Sequence, residues 1–258
     1  MRAILLPGIV LPAAPAYERL VAALGDEVDA RPKELEVYRG AEPPPAYSLD
    51  REVAGVLREA DAAGWERFHV VGYSGGGAVA AALAAACPER LLSLGLLEPA
   101  WTGRDGLGAK ERAARAAFDP IERLPPDELM PAFARVQLAP GVEPPPPPAG
   151  PPPAWLASRP AGIRAITAAF RAAELPPEAL RRFDHPAYHA LGGRSNPDLY
   201  AEQAARLARL FPDFTAEVFA ERHHFDPPHR VEPERLAASL LALWRRAESA
   251  HSMPPVAC

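Results

Sequence analysis

The stretch that most restricts the fold runs over residues 68–86: FHVV, then Gly72-Tyr73-Ser74-Gly75-Gly76-Gly77, then AVAAALAAA. An apolar, β-prone run ends in a glycine-rich turn, and an alanine-rich helix signal starts directly behind it. Strand and helix must therefore meet at a sharp corner. Gly72 and Gly76 stand two residues either side of Ser74, where a side chain would collide with the opposite limb. A serine at such a corner is exposed and fixed in place. Its hydroxyl needs both conditions before a neighbouring base can make it a nucleophile.

The same alternation extends along the chain. AILL (3–6) predicts a short buried strand, broken by Pro7-Gly8, and a helix follows with Tyr17, Leu20, Val21 and Leu24 on one face. LEVY (35–38) predicts a second strand, and Ser48 an N-cap for a helix through about Ala62. FHVV (68–71) is the third strand and LLSLGLL (91–97) the fourth, with the alanine-rich helix between them running to about Cys87. Continuous apolar strands separated by crossover-length helices imply an α/β fold. Its central sheet is mostly parallel and covered by helices on both faces.

Residues 100–182 break that rhythm. They predict helices at about 108–118, 126–137, 160–173 and 177–183 and no strand, and nine of the 14 residues from Pro140 to Pro153 are proline. AYHAL (187–191) resumes the alternation. A helix from Pro197 to Phe211 comes next, then the strand TAEVFA (215–220). The last helix runs from Pro233 to about Ala247, with Leu236, Leu240, Leu243 and Trp244 as its buried stripe. The domain reading is a core of residues 1–99 and 184–258, with 100–183 an inserted helical cap carrying a proline-rich strap at 140–153.

Bulk numbers exclude several classes. At 258 residues, 48 % hydrophobic and 24 % charged, the sequence suits one soluble domain with a full core. A net charge of -5 gives no electrostatic case for nucleic acid or an anionic membrane surface. No apolar run approaches the ~18 residues of a membrane span. The N-terminal MRAILLPGIVLPAAP is interrupted at Pro7-Gly8 and reads as a core strand rather than a leader. Cys87 and Cys258 are the only cysteines, which argues against a disulfide framework and for a reducing, cytoplasmic setting.

From first strand to last helix the chain resembles an α/β-hydrolase-fold protein, with the usual opening antiparallel hairpin missing. The resemblance implies Ser74 as nucleophile, an acid after a later strand and a histidine in the loop after the last strand. Serine rather than aspartate at the elbow points to acyl-enzyme chemistry. The histidine loop reads Glu221-Arg222-His223-His224-Phe225-Asp226-Pro227-Pro228-His229. His224, preceding an apolar residue, fits the family's base; His223 and His229 are alternatives. His223, Asp226 and His229 are also potential metal ligands, without metal-motif spacing, so no metal is expected. The family's usual acid turn here reads Gly192-Gly193-Arg194-Ser195-Asn196, with asparagine at the expected place. Some members carry the acid after the preceding strand, where this chain has Leu97-Glu98-Pro99. A carboxylate ending an apolar strand needs a partner to justify its desolvation. Glu98 is therefore assigned as the acid, with Asp198 and Asp226 as alternatives and Asn196 as a cap for the helix at Pro197.

The oxyanion hole implied by the resemblance uses the N–H groups of Gly75 and, since proline has none, of Ile9 in the loop after the first strand. Tyr73 and Trp101 are expected to contact substrate. Trp101, Phe118, Met130, Phe133, Trp155 and Phe170 suit a hydrophobic acyl or aromatic group, although packing between cap and core accounts for most of them. The expected reaction is hydrolysis of an ester, thioester or similar carbonyl. A C–C bond hydrolase or lyase would use the same triad, and Asn196 supports the alternative of a non-catalytic binding protein on this fold. No cofactor is implied, and the expected partner is a small-molecule substrate acting on a monomer or homodimer.

Overall fold

The computed structural model describes residues 1–146, 151 and 153–252. Six strands form one sheet: β1 (Arg2–Leu6), β2 (Asp29–Pro32), β3 (Phe68–Tyr73), β4 (Leu91–Leu97), β5 (Ala187–Gly192) and β6 (Phe214–Phe219). Its order is β2-β1-β3-β4-β5-β6 and every neighbouring pair is parallel. The chain winds one way from β1 to β2 and the other way from β3 onward. The carboxyl ends of β1 and β3 therefore flank the switch point, where a parallel sheet leaves a crevice for a ligand.

The helices are α1 (Ala13–Leu24), α2 (Leu49–Ala62), α3 (Gly75–Ala86), α4 (Ala109–Ala116), α5 (Pro126–Val136), α6 (Arg159–Ala172), α7 (Pro177–Arg181), α8 (Pro197–Leu207), α9 (Pro228–Val231) and α10 (Pro233–Ser252). Successive strand residues point to opposite faces, and both faces are apolar. Ile4, Leu6, Val70, Leu94 and Leu96 pack in one core with α2 and α3. Ala3, Leu5, Val71, Leu97 and Phe219 pack in the other with α1 and α10. Ser48 caps α2 as expected, its hydroxyl accepting from Arg51 N–H at 3.3 Å.

One expected strand is wrong. LEVY (35–38) is not part of the sheet; residues 36–38 form a 3-10 turn, and Asp29–Pro32 takes the edge position beside β1. Leu35 and Val37 are buried as their apolarity demands. However, the N–H groups of Glu36 and Val37 donate to the Glu52 carboxylate at 2.9 and 3.0 Å instead of to a strand. A side chain 16 residues away in sequence thus satisfies the backbone groups that a ladder would have used.

Between β4 and β5 lie α4 to α7, near the expected positions. Among the described residues this stretch holds no strand, only an isolated bridge from Leu138 to Ser195. The strap expected at 140–153 lies partly outside the described residues. A buried ion cluster fastens α4 to α8. Arg206 Nε and Nη2 donate to the two Glu111 oxygens at 3.0 Å, and Arg115 Nη2 reaches Glu111 at 2.9 Å. Burial alone would raise the Glu111 carboxyl, but the two guanidinium groups hold it below its ordinary range. Among the described residues no helix is long and apolar enough to cross a membrane.

Candidate active site

β3 ends at Tyr73 and α3 begins at Gly75, so the reversal falls on Ser74. Its backbone lies at φ 52°, ψ -115°, a conformation costing a non-glycine residue about 1–3 kcal/mol. The surroundings enforce it. Ser74 N–H donates to Leu97 O at 3.0 Å, and Gly76 N–H to Pro7 O at 3.0 Å. A Cβ at Gly72 would sit 2.2 Å from Gly76 O, and one at Gly76 would sit 2.3 Å from Leu6 O. Both glycines are therefore required for the corner to close.

Glu98 follows β4 with φ 44°, a second non-glycine residue on the left-handed side. Its N–H prolongs the ladder to Ala190 O at 3.1 Å while its side chain turns across the strand ends. Oε1 accepts from Gly192 N–H at 2.8 Å, and Oε2 lies 2.9 Å from His224 Nδ1. His224 Nε2 lies 3.1 Å from Ser74 Oγ. Ser74, Glu98 and His224 are 3 %, 4 % and 1 % exposed. Little water competes for these contacts, so each is stronger than it would be at a surface. With its proton on Nδ1, toward the carboxylate, the imidazole presents Nε2 to the hydroxyl as a proton acceptor.

The other candidates do not meet Ser74. His223 Nδ1 accepts from Phe225 N–H at 3.1 Å and lies 3.0 Å from Asp226. The Asp226 carboxylate is spent on the His223 N–H and on Arg222. Asp198 sits on the surface beside Lys110, 3.8 Å away. Asn196 caps α8, its side chain accepting from Asp198 N–H at 3.1 Å and donating to Val136 O at 2.8 Å. His229 is fully buried between the rings of Tyr17 and Tyr73, each centroid 4.8 Å away. It is separated from the His223–Asp226 pair, and among the described residues no three His, Cys, Asp or Glu side chains converge as metal ligands.

Ile9 and Gly75 are adjacent, since a Cβ on Gly75 would come within 2.4 Å of Ile9 Cγ2. Neither N–H donates a hydrogen bond to any described residue. Two free donors beside one serine can receive the negative oxygen of a tetrahedral intermediate. Tyr73 walls the cavity at Ser74, and its hydroxyl also donates to the His224 carbonyl, which steadies the histidine loop.

Two contributors escaped the sequence reading. Tyr200 of α8 stacks on His224, with planes 13° apart and centroids 4.9 Å apart, while its hydroxyl donates to Gln137 Oε1 at 2.8 Å. Burial, reinforced by the Glu98 carboxylate, raises the Tyr200 and Tyr73 hydroxyls well above their ordinary range, so both stay neutral beside the imidazole. The second contributor is the Gly192-Gly193 pair. Cβ atoms there would lie 2.4 Å from Arg222 O and 2.5 Å from Ala220 O. These glycines let the histidine loop pass close over the end of β5, and Gly192 N–H fixes the orientation of Glu98.

Two cavities lie near the serine and adjoin at Ile9 and Phe133. A smaller one of about 130 Å³ is lined by Ser74, His224, Tyr73 and Ile9. A larger one of about 400 Å³ shares Ile9 and Phe133 with it and is walled by Trp101, Phe118, Phe170 and Tyr200. Trp155 lies away from both lining sets, against the Arg159 guanidinium.

Solved structures with this architecture include a thermophilic esterase from Thermogutta terrifontis, 17 % identical, with a TM-score of 0.70 over 96 % of this chain and 90 % of that one. A meta-cleavage product hydrolase from Pseudomonas fluorescens is 16 % identical, with a TM-score of 0.65 over 96 % and 91 %. A putative non-heme bromoperoxidase from Mycobacterium tuberculosis is 15 % identical, with a TM-score of 0.68 over 95 % and 92 %. At such identities the likeness is one of fold. No sequence among curated proteins matches. A family model described as "Alpha/beta hydrolase family" matches residues 3–239, nearly the whole chain, and the protein belongs to the alpha/beta hydrolase family.

Proposed function

We propose that this protein is a serine hydrolase that cleaves an ester, thioester or similar carbonyl compound through an acyl-enzyme on Ser74. The observation carrying this reading is the single imidazole of His224, 3.1 Å from Ser74 Oγ on one side and 2.9 Å from Glu98 on the other. His224 Nε2 takes the Ser74 proton as Oγ attacks the carbonyl carbon. Glu98 stabilises the imidazolium, which then protonates the leaving group. The N–H groups of Ile9 and Gly75 receive the oxyanion. Water repeats the sequence from the same side, and the acid is released.

Residues 100–183 form a cap over the strand ends in this reading, and the aromatic wall of the larger cavity favours an apolar acyl or aromatic group. No step calls for a cofactor. Replacing Ser74 by alanine removes the nucleophile and lowers kcat on p-nitrophenyl alkanoates by about 10⁵–10⁶, with little change in melting temperature. A panel of p-nitrophenyl esters and acyl thioesters assayed on both proteins checks this. Equal turnover by the two would refute it.

A further inference from the structure

We propose that Trp101 is a partition that sets acyl-chain length: it ends the larger cavity, which adjoins the Ser74 cavity at Ile9 and Phe133, and separates it from a second, partly open pocket that suits the end of a longer alkyl chain. The inference rests on the acyl-enzyme reading and adds a substrate class to it. The second chamber has a volume of about 390 Å³, close to the roughly 400 Å³ of the first, and Trp101 lines both. Beyond the indole, the small Ala82, Ala85 and Ala169 line the pocket beside the larger Tyr47, Val53 and Leu175.

The indole is held in place. It is 5 % exposed and stacks on Phe170 with planes 1° apart and centroids 5.7 Å apart. The backbone on either side is fixed as well. Ala100 N–H donates to Ser74 O at 2.8 Å. Gly103, at φ 88°, passes so close to Leu175 that a Cβ would lie 2.6 Å from the Leu175 carbonyl. Trp101 therefore does not swing aside with the loop that bears it, and an acyl chain passing from the Ser74 cavity into the larger one stops against the ring.

The far chamber also selects chemistry. Asp50 and Glu174 line it, together with the alanines. Their carboxylates disfavour an anionic chain end and leave a plain methyl terminus as the occupant. Wild-type protein is thus specific for short or aromatic acyl groups. Removing the indole turns it toward long unbranched alkanoyl groups, not toward dicarboxylic half-esters.

The experiment compares kcat/KM for p-nitrophenyl esters from butanoyl to hexadecanoyl in wild type, Trp101→Leu and Trp101→Ala. The leucine variant keeps more of the packing in case alanine does not fold. Wild-type values should rise with chain length and then break. In the variants the break should move to longer chains, and the hexadecanoyl-to-butanoyl ratio should increase by roughly tenfold or more, since each further buried methylene adds about fourfold. Adding Ala82→Leu to the variants fills the far chamber and should restore the wild-type break. A break at the same length in all proteins would overturn the partition.

If no ester is turned over by any of them, the acyl-enzyme reading has failed. The partition is then read from calorimetric binding of free alkanoates to Ser74→Ala with and without Trp101→Leu. A displaced break in affinity supports it, and coincident breaks overturn it.

Discussion

Exchanging Glu98 for glutamine is expected to lower kcat by about 10³–10⁴, with little change in stability. The size follows from which atom each side-chain position must present. Oε1 accepts from Gly192 N–H at 2.8 Å, so the amide oxygen of a glutamine takes that place. Its NH₂ then faces His224 Nδ1, where Oε2 now lies at 2.9 Å. An NH₂ offers only protons, so Nδ1 has to accept, and the imidazole proton moves to Nε2. That nitrogen faces Ser74 Oγ and must be bare to act as a base. The shape of the site survives while the tautomer is wrong.

Asp226→Asn, by contrast, disturbs only the His223 and Arg222 contacts and should keep turnover within a few-fold. Asn196→Ala removes a helix cap and should cost about 1 kcal/mol of stability without touching kcat. Steady-state assays and thermal melts on the three variants check these statements together. Near-normal turnover by Glu98→Gln, with collapse in either of the others, would move the acid elsewhere.

The second large effect is acid lability from two histidines outside the proposed chemistry. His189 in β5 and His229 in α9 are fully buried, and among the described residues neither ring nitrogen of either has a hydrogen-bond partner. Burial pushes His189 down to about 4 and is the main cause of the fall of His229 to about 3. In the unfolded chain both bind a proton as pH falls through about 6.5. Between that value and the folded ones the unfolded state holds more protons, so stability falls as pH falls.

At pH 5 each histidine sits about 1.5 pH units below its unfolded value. At ~1.4 kcal/mol per unit, the pair removes about 4 kcal/mol relative to pH 7, roughly a thousandfold in the folding equilibrium. That is a large share of the 5–15 kcal/mol typical of a domain. Urea titrations at pH 7, 6 and 5 measure the slope. His189→Leu should remove its share of the slope, to which the buried His69, lowered by burial to about 3, also contributes, and an unaltered slope in that variant would contradict the assignment.

How much could be read from the chain depended on whether the signal was local. The corner at Ser74 is local: Gly72 and Gly76 are required by atoms within a few residues or one strand away. Glu98 was legible for a different reason. A carboxylate at the end of an apolar strand poses an energetic problem, and the nearby loop held a histidine to solve it. The strand misplaced at 35–38 failed because burial and sheet membership are separate properties. Leu35 and Val37 are in the core, but Glu52 takes the amides beside them.

Tyr200 gave no warning, since its place on an ordinary amphipathic helix does not reveal that its ring will meet His224. The turn from Gly192 to Asn196 carries asparagine where an acid is expected, while its two glycines admit the histidine loop and Gly192 supplies one N–H. The Glu111–Arg206 bond joins residues 95 apart and has no sequence signature at all.

The central claim is that Ser74 is a nucleophile made competent by His224. Incubation with an alkyl fluorophosphonate at neutral pH, followed by peptide mass spectrometry, tests it without knowledge of the substrate. The account predicts one adduct per chain, on the Ser74 peptide, formed at least a hundredfold more slowly in His224→Ala, as loss of a general base of this kind requires. An unmodified Ser74 in folded wild-type protein, or labelling at the same rate without His224, would contradict it.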